Sequence, residues 1–272
     1  MSTNADASAY LPNQYADILI KKGYLMEIGG DISEKGNVLL NGVAIEGDSV
    51  TYTEEVLIQN NAIGITPSGA ARSSFTGDGI KMTYTRITRT IGNRISHFNK
   101  GINLVAGTNN YFSLNRIFGN LTQGIDLNDD GITDNDTNDP DSGPNGKQNF
   151  PLITSVQFRD VSLLKYMDIY GTINSTPNTK VRVEVFSGPS CHASGYGEGY
   201  DALRNVTVTT DGSGNTSWFT KDILYSPPLE YIGSCITATA TAITTSDTVY
   251  NTSEFSPGMF MGVKVFLPII SR

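Results

Sequence analysis

The chain has 272 residues, a formal net charge of −8 at pH 7, 38% hydrophobic residues and 17% charged residues. This composition is typical of a globular protein with one large domain or two ordinary ones, and not of a disordered chain. The negative charge argues against a nucleic-acid partner, because DNA and RNA usually require a basic stripe. No segment approaches the roughly 20 apolar residues that a membrane helix needs, so we expect no membrane span.

Helix-forming residues are sparse, and no window shows a convincing apolar period of the helical kind. The sequence therefore predicts an all-β fold. Residues 1–40 show no clear repeat, and we interpret them as an N-terminal cap or as incomplete coils of the stack that follows. The first ten residues are polar and lack the regions of a signal peptide, so either the protein is cytosolic or, as we expect, an export signal lies outside this chain.

Residues 41–128 contain a repeat of short apolar motifs. The motifs GVAI, GIKM, GINL and GIDL begin at Gly42, Gly79, Gly101 and Gly124. The last two steps are 22 and 23 residues long, and the longer first step predicts an inserted loop at residues 66–77. A step of this length predicts a short right-handed parallel β-helix, in which successive coils stack about 4.8 Å apart. A leucine-rich repeat has an overlapping period, but it requires a leucine frame that is missing here.

Equivalent residues of successive coils should form columns. Two inward apolar columns are expected, formed by Val43, Ile80, Ile102 and Ile125 and by Ile45, Met82, Leu104 and Leu127. We expect a third column of Asn61, Asn93 and Asn115 at a turn. Asparagine suits that position because it tolerates left-handed backbone and its amide can bond to the next coil.

An acidic run follows the last coil, and we assign residues 129–149 to an acidic joint. Asp126, Asn128 and Asp130, with Gly131 directly after them, match the D-x-N-x-D-G opening of a calcium loop. The twelfth position of that loop is Thr137 and not an acid. The predicted Ca²⁺ ligands are Asp126, Asn128, Asp130, Asp134 and Asp136. Two alternatives are an acidic flexible linker and one half of an active site.

Residues 150–258 alternate apolar and polar residues between turn signals, which predicts six or seven strands of an immunoglobulin-like or fibronectin-like β-sandwich. In one of these strands we expect Val181, Val183 and Val185 to face inward, with Arg182 and Glu184 outward. Cys191 and Cys235 would lie at neighbouring strand ends, so a disulfide is reasonable, and two free thiols are the alternative. Residues 259–272 form a C-terminal tail. Its apolar stretch VKVFLPII could pair edge to edge with another strand.

The coils that combine NRI with GI-x-L resemble the right-handed parallel β-helix repeats of bacterial secreted and surface proteins, a superfamily that includes the pectate-lyase-like enzymes. The acidic run and the strands after it resemble the β-sandwich module that closes many large bacterial exoproteins. This resemblance covers roughly residues 40–258, and it implies an extracellular or cell-surface location. Most proteins of that group have no assigned activity, so the resemblance concerns architecture.

Two functions fit these features. The first is a non-catalytic structural or adhesive module with a calcium-stabilised loop, whose partners are polysaccharide or further copies of itself. The alternative is a polysaccharide lyase or glycoside hydrolase that acts along the β-helix face. Its candidate residues are the stacked pair Arg94 and Arg116 and the column of Lys81, Asn103 and Asp126. The chain has two histidines in no metal-binding pattern, so we expect neither a zinc site nor a histidine triad.

Overall fold

The computed structural model describes residues 16–32, 35–66, 70, 77–162, 164–225, 234–244, 246 and 248–261. This part of the chain is all-β, as predicted, and contains both parallel and antiparallel sheets. No helix within it is long and apolar enough to cross a membrane. The first fifteen residues, most of the predicted loop at 66–77 and the VKVFLPII stretch lie outside the described residues.

The first thirteen strands form the parallel half. They are β1 Ile18–Lys21, β2 Tyr24–Gly29, β3 Val38–Leu39, β4 Val43–Glu46, β5 Thr53–Gln59, β6 Ala62–Ile63, β7 Ile80–Arg86, β8 Arg89–Ile91, β9 Arg94–Ser96, β10 Lys100–Thr108, β11 Tyr111–Ser113, β12 Arg116–Phe118 and β13 Gln123–Leu127. They pair with one another in parallel, within a nine-stranded sheet and the four-stranded sheet β12-β9-β6-β3.

The remaining strands form the antiparallel half. They are β14 Leu152–Val161, β15 Leu164–Asn174, β16 Lys180–Gly188, β17 Asp201–Thr209, β18 Asn215–Tyr225, β19 Cys235–Ile243, β20 Val249–Thr252 and β21 Met259–Phe260. One sheet has the order β14-β15-β18, and the other has the order β17-β16-β19-β20 with β21 also on β19. A short 3-10 helix, Pro144–Lys147, lies between the halves.

The two apolar columns are confirmed by the strand register. Ile102 pairs with Ile80 and Ile125, and Ile80 pairs with Val43. The second column follows the same register, because β4, β7, β10 and β13 are consecutive neighbours. All eight side chains are at most 3% exposed, so the columns form the core of the parallel half.

The asparagine column is also confirmed, as a ladder of amide hydrogen bonds. Asn61 donates from Nδ2 to Asn93 Oδ1 at 2.9 Å, and Asn93 donates in the same way to Asn115 at 2.9 Å. Asn37, which the sequence did not single out, extends the ladder by donating to Asn61 Oδ1 at 3.0 Å. Asn61, Asn93 and Asn115 are at most 3% exposed, so the ladder satisfies polar groups that water cannot reach.

The antiparallel half has its own core, which includes the alternating valines of β16 and Trp218. Val181, Val183 and Val185 face inward as expected and are fully buried. Glu184 was expected to face solvent on the opposite side of β16, yet it is only 3% exposed. The reason is that the outer face of β16 lies against the parallel half.

Candidate functional site at the joint of the two halves

Three glutamates of the antiparallel half contact the end of the parallel half, and we call them the cap glutamates. Glu184 on β16 accepts a hydrogen bond from the Ser113 hydroxyl, and its other oxygen accepts one from the Leu114 backbone N–H at 3.0 Å. Burial raises the pKa of Glu184. Backbone donors at the edge of a parallel stack have no further strand to pair with, so a carboxylate is a suitable partner for them.

Glu198 is the second cap glutamate, and it lies in the loop between β16 and β17. Its Oε2 accepts from the Gly119 N–H at 2.6 Å, and its Oε1 accepts from the backbone N–H and the side-chain amide of Asn120 at 2.9 and 2.8 Å. Next to it, Gly199 and Ile117 exchange two backbone hydrogen bonds of 2.9 and 2.8 Å. This loop therefore pairs with β12 as an extra short strand would.

Glu254 is the third cap glutamate, and it is only 2% exposed. Its two oxygens accept from the backbone N–H groups of Leu127 at 2.8 Å and Thr133 at 3.0 Å. Burial, together with the nearby charges of Asp126 and Asp130, raises the pKa of Glu254 to about 8. A carboxyl that faces other carboxylates in a buried site stays protonated more easily than one in water.

Apolar contacts accompany these glutamates. Phe186 of β16 and Phe255 pack edge to face, with ring centroids 5.4 Å apart, and both belong to the core of the parallel half. Phe112 N–H donates to the Thr252 hydroxyl at 3.0 Å. The joint therefore combines a shared apolar core with hydrogen bonds between the two halves.

Asp126, the first predicted calcium ligand, is fully buried and forms an ion pair with Lys100 at 2.8 Å. Lys100 also contacts Asp129. Burial works against the charged form of Lys100, but the hydrogen bonds with Asp126 and Asp129 outweigh it and raise the pKa of the ammonium. The predicted column of Lys81, Asn103 and Asp126 is confirmed by the register of β7, β10 and β13.

Asn103 connects two further carboxylates that the sequence analysis did not select. Its Nδ2 donates to Asp78 Oδ2 at 2.7 Å and to Asp129 Oδ1 at 2.8 Å. Burial raises the pKa of Asp78. Burial acts in the same direction on Asp129, but its hydrogen bonds with Lys100 and Asn103 prevail and lower its pKa. Two neighbouring carboxyl groups thus have pKa values that are shifted in opposite directions.

The other predicted calcium ligands follow Asp126 along the run, where the Gly131 N–H donates back to Asp126 Oδ2 at 3.3 Å. Asn128 donates from Nδ2 to Asp130 Oδ2 at 2.7 Å, and both residues are exposed, as is Asp134. Asp136 lies farther along the run, where its N–H donates to Asn149 Oδ1 at 3.1 Å. Among the described residues, no group of three His, Cys, Asp or Glu side chains is arranged to hold a metal ion.

Some acceptors of the run nevertheless lack a hydrogen-bond partner. These buried oxygens are Asp126 Oδ1, Thr133 Oγ1, Asp136 Oδ1 and Asn138 Oδ1. Oxygen atoms of this kind suit a hard cation such as Ca²⁺. Calcium binding by this segment stays a prediction.

The rest of the acidic run is held by specific contacts. Asp139 accepts hydrogen bonds from the Asn149 N–H at 3.1 Å, the Ser175 hydroxyl at 2.9 Å and Gln148 Nε2 at 2.8 Å. Asn145, which is fully buried, donates to the backbone oxygens of Asn110 and Thr252. A freely flexible linker would not make such contacts.

The remaining candidates have structural partners. Arg116 stacks beneath Arg94 in register and forms an ion pair with Asp201 at 2.8 Å. Cys191, three residues after β16, and Cys235, at the start of β19, form a disulfide with their Cα atoms 4.8 Å apart. The cap glutamates could not be identified from the sequence, because their partners are distant in the chain. For Glu254 one signal was present, since it is the single acid in the stretch VYNTSEFSPG.

No family model matches the chain, and no curated protein matches it. Among solved structures, one match is the enzymatically active domain of tailspike protein 4 from Bacteriophage CBA120. The alignment has 11% sequence identity and a TM-score of 0.15, and it covers 89% of this chain and 42% of that chain. The chain thus spans less than half the length of that domain, and a likeness at this TM-score carries no argument about fold or function.

Proposed function

We propose that this chain is a non-catalytic structural module in which a β-sandwich closes one end of a short right-handed parallel β-helix. The observation that carries the proposal is the set of three cap glutamates, which bond to backbone or side-chain donors of the last coil. A covered end prevents further strands from adding there. The shared core around Phe186 and Phe255 supports the same reading, because it makes the two halves one packed unit.

The opposite end of the parallel half supports an adhesive or self-assembling role. In the described part, β1 pairs with β4, β2 pairs with β5 and β3 pairs with β6, and each has a partner on one side. Several apolar side chains there are more than two-fifths exposed: Leu19, Tyr24, Leu25, Met26 and Ile32. Since the sandwich already occupies the other end, association through this end would join two copies and would not produce head-to-tail stacking.

An extracellular or cell-surface location belongs to the same proposal. The Cys191–Cys235 disulfide supports it, because disulfides persist in oxidising compartments. Calcium at the acidic run is a further part of the proposal, in which the ion would satisfy the unpartnered oxygens of the joint.

A depolymerisation assay tests the non-catalytic role. The protein is incubated with a panel of neutral and acidic polysaccharides, in calcium and again in EDTA, while circular dichroism checks that it stays folded. We expect no product under either condition. Release of oligosaccharides would refute the proposal.

A glycoside hydrolase is the second candidate function, and one observation favours it. Asp78 and Asp129 share the amide of Asn103, and their pKa values are shifted in opposite directions, as an acid and its partner carboxylate require. If product appears, Asp78→Asn and Asp129→Asn should each abolish it. Asp31→Asn is the matched control, because Asp31 is an exposed acid paired with Lys35 away from this pair.

A further inference from the structure

The sheet β14-β15-β18 carries a pair of aromatic rings on its outer face, which is the face turned away from the core of the antiparallel half. Tyr170 on β15 and Phe219 on β18 are register partners, and their ring centroids lie 6.3 Å apart with the planes tilted by 35°. Trp218 and Thr220, on either side of Phe219, are buried, so alternation along β18 directs Phe219 outward. Phe219 is 56% exposed. We call Tyr170 and Phe219 the aromatic platform.

A groove of about 580 Å³ lies beside the platform, on the side of the acidic joint. Ser217 and Asn215 line it, and they follow Phe219 at alternate positions on the same face of β18. The other side of the groove includes Asp136 of the acidic run and Asp211. At a rise of about 3.4 Å per residue, the strand from Phe219 to Asn215 is about 14 Å long. The platform and the groove therefore form one continuous elongated surface.

Hydrogen bonds hold the polar side chains of the groove in fixed positions. Asn174 donates from Nδ2 to Asn215 Oδ1 at 2.8 Å, and its own Oδ1 accepts from the Asn138 N–H at 2.6 Å. Asp211 Oδ1 accepts from the N–H groups of Ser213 and Asn215 at 2.8 and 2.9 Å. Within the described residues Asp211 Oδ2 accepts no hydrogen bond. A carboxylate that is fixed through one oxygen presents the other to a ligand at little cost in side-chain entropy.

The side chains of the groove favour one class of ligand. Its charged groups are the carboxylates of Asp136 and Asp211, and no Lys or Arg of the described chain lines it, so an acidic polymer would be repelled. Lys221 has its Nζ 5.0 Å from the Phe219 ring centroid, but it lies beyond Phe219 on the side away from the groove. A protein partner usually buries an apolar interface core, whereas amides and hydroxyls continue from these rings. Sugars match both parts, because their C–H faces pack on aromatic rings and their hydroxyl groups bond to amides and carboxylates.

We propose that the aromatic platform and the groove beside it are a binding site for a neutral polysaccharide. One sugar ring stacks on Phe219 and Tyr170, and the next sugars lie along the groove, where their hydroxyl groups donate to Asp211 and bond to the amide of Asn215. The site deepens the adhesive role in the proposed function. It rests on that function in one respect, since the bound chain is held and not cut.

Affinity electrophoresis tests the site. The full chain is run in native gels that contain glucomannan, xylan, dextran or hydroxyethyl cellulose as soluble neutral polymers, or polygalacturonate as an acidic one. We expect at least one neutral polymer to retard the protein more strongly than polygalacturonate does. The proposal is overturned if no neutral polymer retards the protein, or if polygalacturonate retards it as strongly as every neutral polymer.

Two variants locate the binding, with a third as control. Phe219→Ala should weaken binding of the retarding polymer by about fivefold or more, because it removes the exposed ring. Asp211→Asn keeps an oxygen for the turn and loses the second acceptor, so binding should weaken by about threefold. Tyr24→Ala is the matched control, since it removes a 64% exposed ring from the parallel half and should bind like the parent. Unchanged binding by Phe219→Ala overturns the proposal, and Asp211→Asn decides if circular dichroism shows that Phe219→Ala is unfolded.

The outcomes separate this site from the proposed function. Shortened polysaccharide after incubation would refute the non-catalytic role, and the site would then be judged by Phe219→Ala alone. Absence of both binding and product would overturn the site and leave the closing of the parallel half by the sandwich intact. A second copy of the chain is another conceivable occupant of the platform. Dimers in light scattering that Phe219→Ala dissociates, without polysaccharide binding, would assign the face to self-association and overturn the proposal.

Discussion

The buried carboxyl of Glu254 should make the joint weaker as the pH rises. Its pKa is about 8 in the folded protein, against an ordinary value of 4.5. The folded protein therefore binds more protons than the unfolded chain between these two values. The stability that protonated Glu254 supports is fully present below about pH 4.5, and it is lost as the pH rises through 8.

The loss of unfolding free energy follows from the size of the pKa shift of Glu254. One pH unit corresponds to about 1.4 kcal/mol for one proton, so the loss between pH 5 and pH 8 amounts to roughly 4 kcal/mol. Because Glu254 is only 2% exposed, water does not screen its unfavourable charge strongly. Asp78, Asp139 and Glu184 also have raised pKa values and change stability in the same direction. The slope of the wild-type unfolding free energy against pH would therefore not assign the effect to Glu254.

The assay is urea unfolding of the wild type and Glu254→Gln at pH 5, 6, 7 and 8. Glutamine offers one oxygen where the carboxyl accepts from two backbone N–H groups, so we expect a loss of about 1–3 kcal/mol at pH 5. As the pH rises, the unfolding free energies of the two proteins should converge, because the variant has no carboxyl at this position to ionise. The contributions of other groups cancel in the difference. Parallel stability curves would refute the reasoning.

Three further results are expected. Asn93→Ala breaks the ladder and leaves buried amide partners unpaired, so its unfolding free energy should fall by about 2–4 kcal/mol, whereas exposed Asn205→Ala should change it little. Thiol titration of the denatured, unreduced protein should find no free thiol, and reduction of the 44-residue loop should cost about 4 kcal/mol; two titrated thiols would contradict the disulfide. Calcium should raise the melting temperature relative to EDTA, and an unchanged value would count against a site in the acidic run.

The parallel half was the more predictable part of the fold. A column repeats the same residue type at each coil, so the apolar and asparagine columns are visible as a period in the sequence. The ion pair between Asp126 and Lys100 was harder to predict from the sequence. Lys100 precedes the GINL motif, and its register partner is Gln123, so it reaches Asp126 diagonally along the sheet.

The joint could not be predicted because periodicity describes one half at a time. Glu184 alternates correctly along β16, and its outward direction was predicted. The alternation does not show that the outward face of β16 packs against the parallel half. There the Ser113 hydroxyl and the Leu114 N–H donate to Glu184. Buried carboxylates at an interface look like surface acids in a sequence. Contacts between the two halves depend on how the halves pack together, and the secondary-structure propensity of each segment does not determine that packing.

The asparagine ladder has a consequence for how this protein can change in length during evolution. Each amide must meet the next one, so residues added within the paired strands would shift the later rungs out of contact. Whole coils can be gained or lost without that damage. The 32-residue step from Asn61 to Asn93, against 22 from Asn93 to Asn115, shows where surplus chain is tolerated, since both rungs still bond. We therefore expect changes in chain length to be accommodated as complete repeats or between the rungs, as the 24-residue step from Asn37 to Asn61 and the 32-residue step from Asn61 to Asn93 both are.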